Sequence, residues 1–309
     1  MIQFNSQGDK MKKNYNKVSF FSKIINFLFK FSSAKNDYAT EDNIKKFIDK
    51  YQITKKKYNL YNKLSFYKEN LPYMDVYSYN GTINDNNGKF LLYIHGGSFL
   101  EEAIKYQLNF AKKIADNTNS TLIVPRYPLI PDGNYKTMYK LINKLYKCLL
   151  NKCDNINFLG DSSGGGFILS YAMYLRDKNI PTPKNILMLS PWTDLSMSNP
   201  ELLISEKLDN LSSIEGNRYC GLLWAKDTNI KDPRISPMYG DFTDLPKITI
   251  MTGSYDILKP DCKKLSNFLD KQGIDHNYIE YKCQGHDFGC YPTKEGKLLI
   301  RDISNIINE

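Results

Sequence analysis

Short apolar runs alternate with longer amphipathic stretches through most of the chain. The runs are typical of strands buried on both faces, and they cover residues 90–94, 121–124, 156–159, 186–189, 248–251 and 278–281. Between them, apolar residues recur at helical spacing in residues 102–117 and 137–150, and a further helical pattern ends the chain. Because strands and helices alternate, the pattern predicts an α/β fold with a mostly parallel central sheet flanked by helices.

Two segments depart from this alternation. Residues 73–79 alternate polar and apolar side chains, and the turn-forming residues 84–88 separate them from the run at 90–94. We expect these two runs to form a β-hairpin at the entrance to the sheet. Residues 195–231 are a longer, mostly helical insertion between two strands. The chain therefore divides into a basic, helical segment at 1–70 and an α/β domain at 71–309.

The N-terminal segment contains one strongly amphipathic stretch. Residues 1–17 are polar and basic and are expected to be flexible, whereas residues 18–32 are predicted to form a helix. Its apolar face holds Phe21, Ile24, Ile25, Leu28 and Phe31, and its polar face holds Ser19, Ser22, Lys23, Asn26 and Lys30. The simpler interpretation packs the apolar face against the globular body. The alternative places it on an anionic membrane surface as a peripheral contact, and a signal peptide fits less well because lysines interrupt the apolar region.

Composition and charge narrow the possible classes of protein. A chain of 309 residues with 41% hydrophobic residues can bury a full core. The formal net charge of +9 lies entirely within residues 1–70, since residues 71–309 hold 27 basic and 27 acidic residues. This balance gives no support for nucleic-acid binding by the main body. Six cysteines without a C-x-x-C motif favour reduced thiols and a cytoplasmic location, and no apolar run is long enough to span a bilayer.

A candidate nucleophile lies between a predicted strand and a predicted helix. The sequence Gly160-Asp161-Ser162-Ser163-Gly164 follows the strand at 156–159 and has the G-x-S-x-G spacing around Ser162. In this motif the strand and the helix pack so closely that side chains are excluded at both glycines, and the turn raises the serine hydroxyl above the sheet. The helix N-terminus also favours an oxyanion formed above the turn.

A serine hydroxyl requires a general base, and the base requires an orienting carboxylate. Of the three histidines, His286 lies in a loop after the last predicted strand, where open α/β sheets place their functional sites. Asp256 follows another predicted strand. The chain order Ser162, Asp256, His286 is that of α/β-hydrolases. His276 precedes the last strand, at the opposite edge of the sheet, and is interpreted as a surface histidine.

The loop after the strand at 90–94 is a candidate oxyanion hole. Its sequence is His95-Gly96-Gly97-Ser98-Phe99, and its small residues let backbone N–H groups approach a substrate carbonyl oxygen. We expect donors from Gly96, Gly97 and Ser98 together with the N–H of Ser163, and one such donor lowers the barrier by on the order of 3 kcal/mol. His95 is expected to order this loop rather than to act as a base.

Seven motifs together carry a family resemblance. They are HGGSF at 95–99, RYPLIPD at 126–132, GDSSGG at 160–165, SPWTDL at 190–195, DPRISP at 232–237, GSYD at 253–256 and GHDF at 285–288. As a set they resemble the hormone-sensitive-lipase-like branch of the α/β-hydrolase superfamily. The resemblance implies an α/β-hydrolase fold and an esterase with Ser162 as nucleophile, His286 as base and Asp256 as its orienting carboxylate. It also implies oxyanion donors at Gly97, Ser98 and Ser163.

The same resemblance implies features that the residues alone do not. It implies a helical cap built from the N-terminal segment and the insertion at 195–231, and a preference for small esters with short to medium acyl chains. No metal or organic cofactor is implied. The chain departs from the family at Ser98, where a third glycine is usual, and at Ser163, where alanine is usual. Both residues keep the backbone N–H, so neither departure removes a predicted donor.

The same residues allow other interpretations. The GDS sequence is similar to that of chymotrypsin-like proteases, but Ser163 interrupts their motif and the α/β alternation contradicts a double β-barrel. The glycine run lacks the Gly-Lys-Ser/Thr of a phosphate-binding loop. Cys283, His286 and Cys290 could supply three zinc ligands without an obvious fourth. A hydrolase-like protein that binds a small molecule without catalysis, and an amidase or deacetylase on the same scaffold, also remain as alternatives.

Overall fold

The computed structural model describes residues 12–30, 34–54 and 60–309, which form one sheet of nine strands with helices on both faces. In chain order the strands are β1 Lys12–Tyr15, β2 Tyr67–Glu69, β3 Val76–Tyr79, β4 Phe90–Ile94, β5 Thr121–Pro125, β6 Ile156–Asp161, β7 Asn185–Leu189, β8 Lys247–Gly253 and β9 His276–Tyr281. The helices are α1 Phe20–Lys30, α2 Ala34–Asp37, α3 Glu41–Thr54, α4 Leu60–Lys63, α5 Lys105–Thr118, α6 Tyr135–Leu150, α7 Ser162–Asp177, α8 Leu202–Leu208, α9 Ile214–Ala225, α10 Lys259–Lys271 and α11 Lys294–Asn308.

The strands are arranged in the order β1-β9-β8-β7-β6-β4-β5-β3-β2. All neighbouring pairs from β1 to β5 are parallel, and the β5–β3 and β3–β2 pairs are antiparallel. The predicted α/β fold with a mostly parallel sheet is therefore confirmed. Because the parallel strands run in one direction, their carboxyl ends meet at one edge of the sheet, and the loops after β4, β6, β8 and β9 lie together there.

The sheet separates two hydrophobic cores. Alternate residues of β4 point to opposite faces, so that Phe90 and Leu92 contribute to one core and Leu91 and Tyr93 to the other. Helices α6, α7 and α10 cover the first face, and helices α5 and α11 cover the second. Every residue of β4, β5 and β6 is buried, which is why these strands appear in the sequence as continuous apolar runs.

The predicted β-hairpin between residues 73–79 and 90–94 is wrong. β3 pairs with β5, with Val76 opposite Pro125, and β5 lies between β3 and β4 in the sheet. A run of turn-forming residues marks a change of direction but does not determine which strand lies next to which. After this turn the chain enters the sheet as β4, which is separated from β3 by β5.

The expectation that residues 1–17 are flexible is wrong for residues 12–15, and residues 1–11 lie outside the described part of the chain. Residues 12–15 form β1, which adds a parallel edge strand to β9. Tyr15 stacks on Tyr281 with ring centroids 4.7 Å apart, and its hydroxyl donates to Asp302 Oδ2 at 2.6 Å. The contacts of Tyr15 thus hold the otherwise polar strand β1 against the edge of the sheet.

Helix α1 forms within the predicted stretch, but its packing differs from the simpler interpretation. Ser19, Ser22 and Asn26 of the predicted polar face are docked, whereas Lys23 and Lys30 of that face are exposed. Ser22 is 1% exposed, and the N–H and hydroxyl of Ser19 donate to the carboxylate of Glu295 at 2.5 and 2.7 Å. Asn26 Nδ2 donates to the carbonyl oxygen of Cys283 at 2.6 Å. Hydrogen bonds therefore hold α1 on the body. Of the predicted apolar face, Phe21 and Leu28 are turned outward, Ile25 lines a pocket beside His286, and Phe31 lies outside the described residues.

The insertion at 195–231 holds helices α8 and α9, and α9 packs against α3 from the N-terminal segment. The hydroxyl of Ser213, at the start of α9, donates to the carbonyl oxygen of Tyr38 at 2.7 Å. Within residues 12–30, 34–54 and 60–309, no helix combines the length and the apolar character needed to cross a bilayer.

Candidate active site

Ser162 occupies the sharp turn between β6 and α7. Its φ of +50° lies in the left-handed region, a strained conformation that directs the side chain away from the sheet. A Cβ atom added to Gly160 would lie 2.7 Å from the backbone of Gly164. One added to Gly164 would lie 2.1 Å from the carbonyl oxygen of Ile94 on β4. The two glycines are therefore required by the close packing of strand and helix, as the motif predicts.

The three residues of the predicted triad lie within hydrogen-bond distance of one another. Ser162 Oγ lies 2.9 Å from His286 Nε2, and His286 Nδ1 lies 3.1 Å from Asp256 Oδ1. Asp256 follows β8 and His286 follows β9, so both loops lie at the carboxyl edge of the sheet. Asp256 is buried and also accepts from the N–H of Leu258 at 2.8 Å. Both nitrogens of the imidazole are thus engaged, in the order that proton transfer from a serine requires.

Two further carboxylates surround His286. Asp287 Oδ2 lies 3.5 Å from His286 Nε2. Asp209, which follows α8 in the insertion, accepts from the N–H of Ile257 at 2.9 Å and so holds the loop that carries Asp256. Sequence analysis assigned no role to either carboxylate. Asp287 could have been suspected from its position beside His286, but no local pattern marks Asp209, because its contact is made across the fold.

These carboxylates control the charge of the imidazole. Burial lowers the pKa of His286, but the carboxylates of Asp287, Asp256 and Asp209 outweigh this effect and raise that pKa well above its usual range. Burial also raises the pKa of the Asp287 and Asp209 carboxyl groups. Burial and the neighbouring carboxylates thus act on the pKa of the imidazole and of both carboxyl groups together.

The same cluster bears on the zinc alternative. Asp209, Asp256 and His286 offer potential ligand atoms within 4.8 Å of one another, and among the described residues this group contains neither Cys283 nor Cys290. Burial raises the pKa of the Cys290 thiol well above its usual range, which disfavours the thiolate that zinc binds. Both ring nitrogens of His286 also have hydrogen-bond partners already, Ser162 Oγ at Nε2 and Asp256 Oδ1 at Nδ1.

The loop after β4 turns its backbone toward Ser162. Gly97, Ser98 and Phe99 have φ values of +115°, +53° and +57°, so three successive residues adopt left-handed conformations. Within the described ranges, the N–H groups of Gly97, Ser98 and Ser163 donate no hydrogen bond. The hydroxyl of Ser163 accepts from the N–H of Phe99 at 3.4 Å and so links the loop to the start of α7.

Gly96 differs from the other predicted donors. Its N–H donates to Asp161 Oδ2 at 3.1 Å and is therefore already occupied. Asp161 also accepts from Gln107 Nε2 at 2.6 Å and from the hydroxyl of Tyr93 at 2.5 Å. Sequence analysis did not assign a role to Asp161. The structure shows that this buried carboxylate ties the loop at Gly96 to the turn that carries Ser162.

The other two histidines lie in closed surroundings. His95 is buried, its Nδ1 donates to the carbonyl oxygen of Gly96 at 2.8 Å, and its ring stacks on Tyr127. Burial lowers the pKa of His95, so the ring is neutral and suited to ordering the loop. The interpretation of His276 as a surface histidine is wrong, because it is fully buried on β9 and lies 2.7 Å from Ser266 Oγ.

Comparisons with known proteins agree with this geometry. The family model described as the alpha/beta hydrolase fold matches residues 91–289. Vegetative-specific protein H5 of Dictyostelium discoideum is 30% identical over 258 residues, which cover 73% of this chain and 74% of that protein. An esterase of Acinetobacter venetianus is 26% identical and covers 70% of this chain and 73% of the esterase. A triacylglycerol lipase of Mycobacterium tuberculosis is 28% identical over 65% of this chain, but the match spans only 42% of that lipase.

Solved structures have the same fold. An esterase/lipase from an uncultured bacterium superposes with a TM-score of 0.80 at 19% identity, covering 94% of this chain and 98% of that one. An esterase from the bacterial hormone-sensitive lipase family superposes with a TM-score of 0.78 at 19% identity and the same coverage. The match of the family model to more than half of the chain establishes the family and confirms the resemblance inferred from the motifs. The chain belongs to the α/β-hydrolase fold family.

Proposed function

We propose that the protein is a serine carboxylic-ester hydrolase in which Ser162 is the nucleophile, His286 the general base and Asp256 the residue that orients it. The observation that carries the proposal is the pair of contacts along one line, from Ser162 Oγ to His286 Nε2 at 2.9 Å and from His286 Nδ1 to Asp256 Oδ1 at 3.1 Å. The esterase and lipase relatives agree in reaction class.

The reaction follows from these contacts in two halves. Ser162 Oγ attacks the ester carbonyl carbon while its proton passes to His286 Nε2. The tetrahedral intermediate collapses when His286 returns that proton to the leaving alkoxide oxygen, which departs as an alcohol and leaves an acyl-enzyme. A water molecule then loses a proton to His286 and attacks the acyl carbonyl. The second tetrahedral intermediate expels Ser162 Oγ, which takes that proton back from His286 as the carboxylic acid leaves. Asp256 holds the tautomer of His286 and stabilises the imidazolium in both halves.

The charge on the tetrahedral oxygen needs donors, and we assign them to the N–H groups of Gly97, Ser98 and Ser163. Their lack of other acceptors within the described part of the chain supports this assignment. Gly96 is left out of the proposed set, because its N–H donates to Asp161. Each donor in such a site lowers the barrier by on the order of 3 kcal/mol.

We further propose that helices α3, α8 and α9 form a cap over this edge of the sheet. Two contacts of the oxyanion loop support it. Ser98 Oγ lies 3.2 Å from Asn217 Oδ1 on α9, and the ring of Phe99 stacks on Trp224 with centroids 4.1 Å apart. The residue that departs from the family at position 98 therefore contacts the region proposed as the cap.

A panel of substrates is the first test of this function. The purified protein is expected to hydrolyse p-nitrophenyl acetate and butyrate with saturable kinetics and to be much slower on the matching p-nitroanilides. Binding of esters without turnover would favour the catalytically silent alternative, and faster turnover of the anilides would favour an amidase. The same panel tests the cap, because an Asn217→Ala variant should change the acyl-chain preference, and an unchanged preference would contradict it.

A second prediction concerns pH. Only the deprotonated imidazole accepts the proton of Ser162, so kcat/KM rises as the pH passes upward through the pKa of His286. Because Asp287 helps to raise that pKa, an Asp287→Asn variant should have a lower His286 pKa, and its acidic limb should move toward lower pH. The pH profile of p-nitrophenyl acetate hydrolysis measures this shift. Asp85 is exposed, and the Asp85→Asn variant is the control, whose acidic limb should keep its wild-type midpoint pH. If the Asp287→Asn and Asp85→Asn variants had the same midpoint, Asp287 would not raise the pKa of His286.

A further inference from the structure

We propose that the outward face of helix α1 docks the protein on an anionic lipid bilayer beside the active site. The face consists of Phe20, Phe21, Phe27 and Leu28, whose exposed fractions are 78%, 51%, 62% and 61%. The four large apolar side chains of this apolar strip, on three turns of one helix, are each more than half exposed, and a contiguous exposed apolar patch of this kind marks an interaction site.

The orientation of α1 is fixed by its opposite face. Ser22 is buried against Glu295, and Asn26 is bonded to the backbone at Cys283. At 100° per residue, Phe20 and Phe27 lie nearly opposite Ser22 around the helix. The apolar strip therefore points directly away from the protein, and a rotation that buried it would break the hydrogen bonds that hold α1 in place.

A second helix near α1 also exposes apolar side chains. Asn210, two residues after α8, donates from Nδ2 to the backbone oxygen of Asn26 on α1 at 3.4 Å. Helix α8 exposes Leu203, Ile204 and Leu208. Seven of the thirteen exposed large apolar side chains of the described residues thus lie on these two helices.

Charge identifies the partner as an anionic surface. Residues 10–36 contain seven lysines and no acidic residue. Lys23 and Lys30 are exposed on α1 itself, at the border between its docked face and its apolar face, and Lys17 is exposed just before it. An apolar strip bordered by lysines is the arrangement of helices that lie in the interface of anionic membranes. A second copy of this chain would bring the same lysines face to face, which disfavours a symmetric dimer through this strip.

The position of α1 connects this surface to catalysis. The docked residues Ser22, Ile25, Asn26 and Phe29 line a narrow pocket together with His286. A bilayer in contact with the outer face of α1 would therefore lie one helix diameter from the proposed triad. This part of the inference depends on the proposed esterase function, and it implies substrates whose acyl chains partition into lipid.

Co-sedimentation with vesicles tests the docking without using activity. The wild-type protein should bind vesicles of phosphatidylcholine containing about one third phosphatidylglycerol, and bind far less to pure phosphatidylcholine. The F20S/F27S/L28S variant should lose affinity by about tenfold for each side chain removed. The Y67S variant removes an exposed aromatic side chain on β2, at the opposite edge of the sheet from β1, and is the control, which should bind as wild type. The K23Q/K30Q variant should lose about fivefold for each charge on the anionic vesicles alone.

Two further measurements separate the possible failures. A Ser162→Ala protein should bind vesicles as wild type, so loss of the proposed activity and loss of docking are read independently. All surface variants should keep wild-type melting temperatures and wild-type turnover of soluble p-nitrophenyl acetate without vesicles. Equal vesicle binding by wild type and F20S/F27S/L28S would overturn the proposal. A second result would also overturn it: a wild-type protein that is dimeric and binds no vesicles, together with a monomeric F20S/F27S/L28S variant. The strip would then be a contact between two copies of the chain.

Discussion

A Ser162→Ala variant is expected to lose ester hydrolysis by about 10⁴- to 10⁶-fold in kcat. The substitution removes the only atom that forms the acyl-enzyme bond in the proposed mechanism, while the oxyanion donors and the substrate pocket remain. Binding of a non-hydrolysable ester analogue should therefore be retained within a few-fold. Single-turnover and steady-state rates with p-nitrophenyl butyrate measure the loss.

The adjacent serine offers a matched control for this variant. Ser163 contributes its backbone N–H to the proposed oxyanion hole, and its hydroxyl accepts from the N–H of Phe99 at a long distance of 3.4 Å. A Ser163→Ala variant keeps the N–H and should lose less than about tenfold in kcat. If Ser163→Ala were inactive and Ser162→Ala active, the nucleophile would be misassigned.

The second large effect concerns folding rather than chemistry. A Gly164→Ala variant should lower the free energy of unfolding by about 3 kcal/mol or more. The added methyl group would lie 2.1 Å from the carbonyl oxygen of Ile94 and 2.7 Å from that of His95. Both acceptors belong to the backbone around β4 at the centre of the sheet, so neither can move aside as a flexible side chain would. Urea denaturation followed by circular dichroism measures the change.

A glycine in open space provides the comparison. A Cβ atom added at Gly285 would meet no atom within 4 Å. The Gly285→Ala variant should therefore change the free energy of unfolding by less than about 0.5 kcal/mol. If both variants unfolded at the same urea concentration as the wild type, the close packing of α7 on β4 would be contradicted.

The sequence predicted the sheet well where strands are buried on both faces. β4, β5 and β6 are continuous apolar runs because every residue in them is buried, and such runs are visible without knowledge of the fold. The pairing of β3 was not predictable in the same way. Its partner β5 lies more than forty residues away, with Val76 opposite Pro125, and the turn after β3 suggested a nearer partner.

The N-terminal segment shows a different limit of sequence reasoning. Periodicity predicted that α1 is amphipathic, but not which face would dock. The usual rule buries the apolar face, whereas here the Glu295 carboxylate accepts from the backbone N–H of Ser19 and from its hydroxyl. An acceptor contributed by a helix more than 270 residues away determines the orientation. Likewise, β1 depends on the stacking of Tyr15 on Tyr281, and its other three residues carry no strand pattern.

The sequence likewise predicted some residues of the candidate site and not others. Ser162, Asp256 and His286 were predictable because each lies in a short motif with a fixed place relative to a strand. Asp209, which holds the loop of Asp256, and Asp161, which holds Gly96, were not, because each acts through contacts between distant segments. The direction of the N–H groups in the proposed oxyanion loop depends in turn on left-handed backbone angles that Ser98 and Phe99 adopt against their usual preference.

Covalent labelling by a fluorophosphonate tests the central assignment most directly, because the reagent forms a stable bond with an activated serine. We expect one adduct per chain, located at Ser162 by peptide mass spectrometry, with labelling lost in step with activity in a His286→Ala variant. An active enzyme that carries the adduct on another residue, or that stays fully active when Ser162 is labelled, would contradict the account.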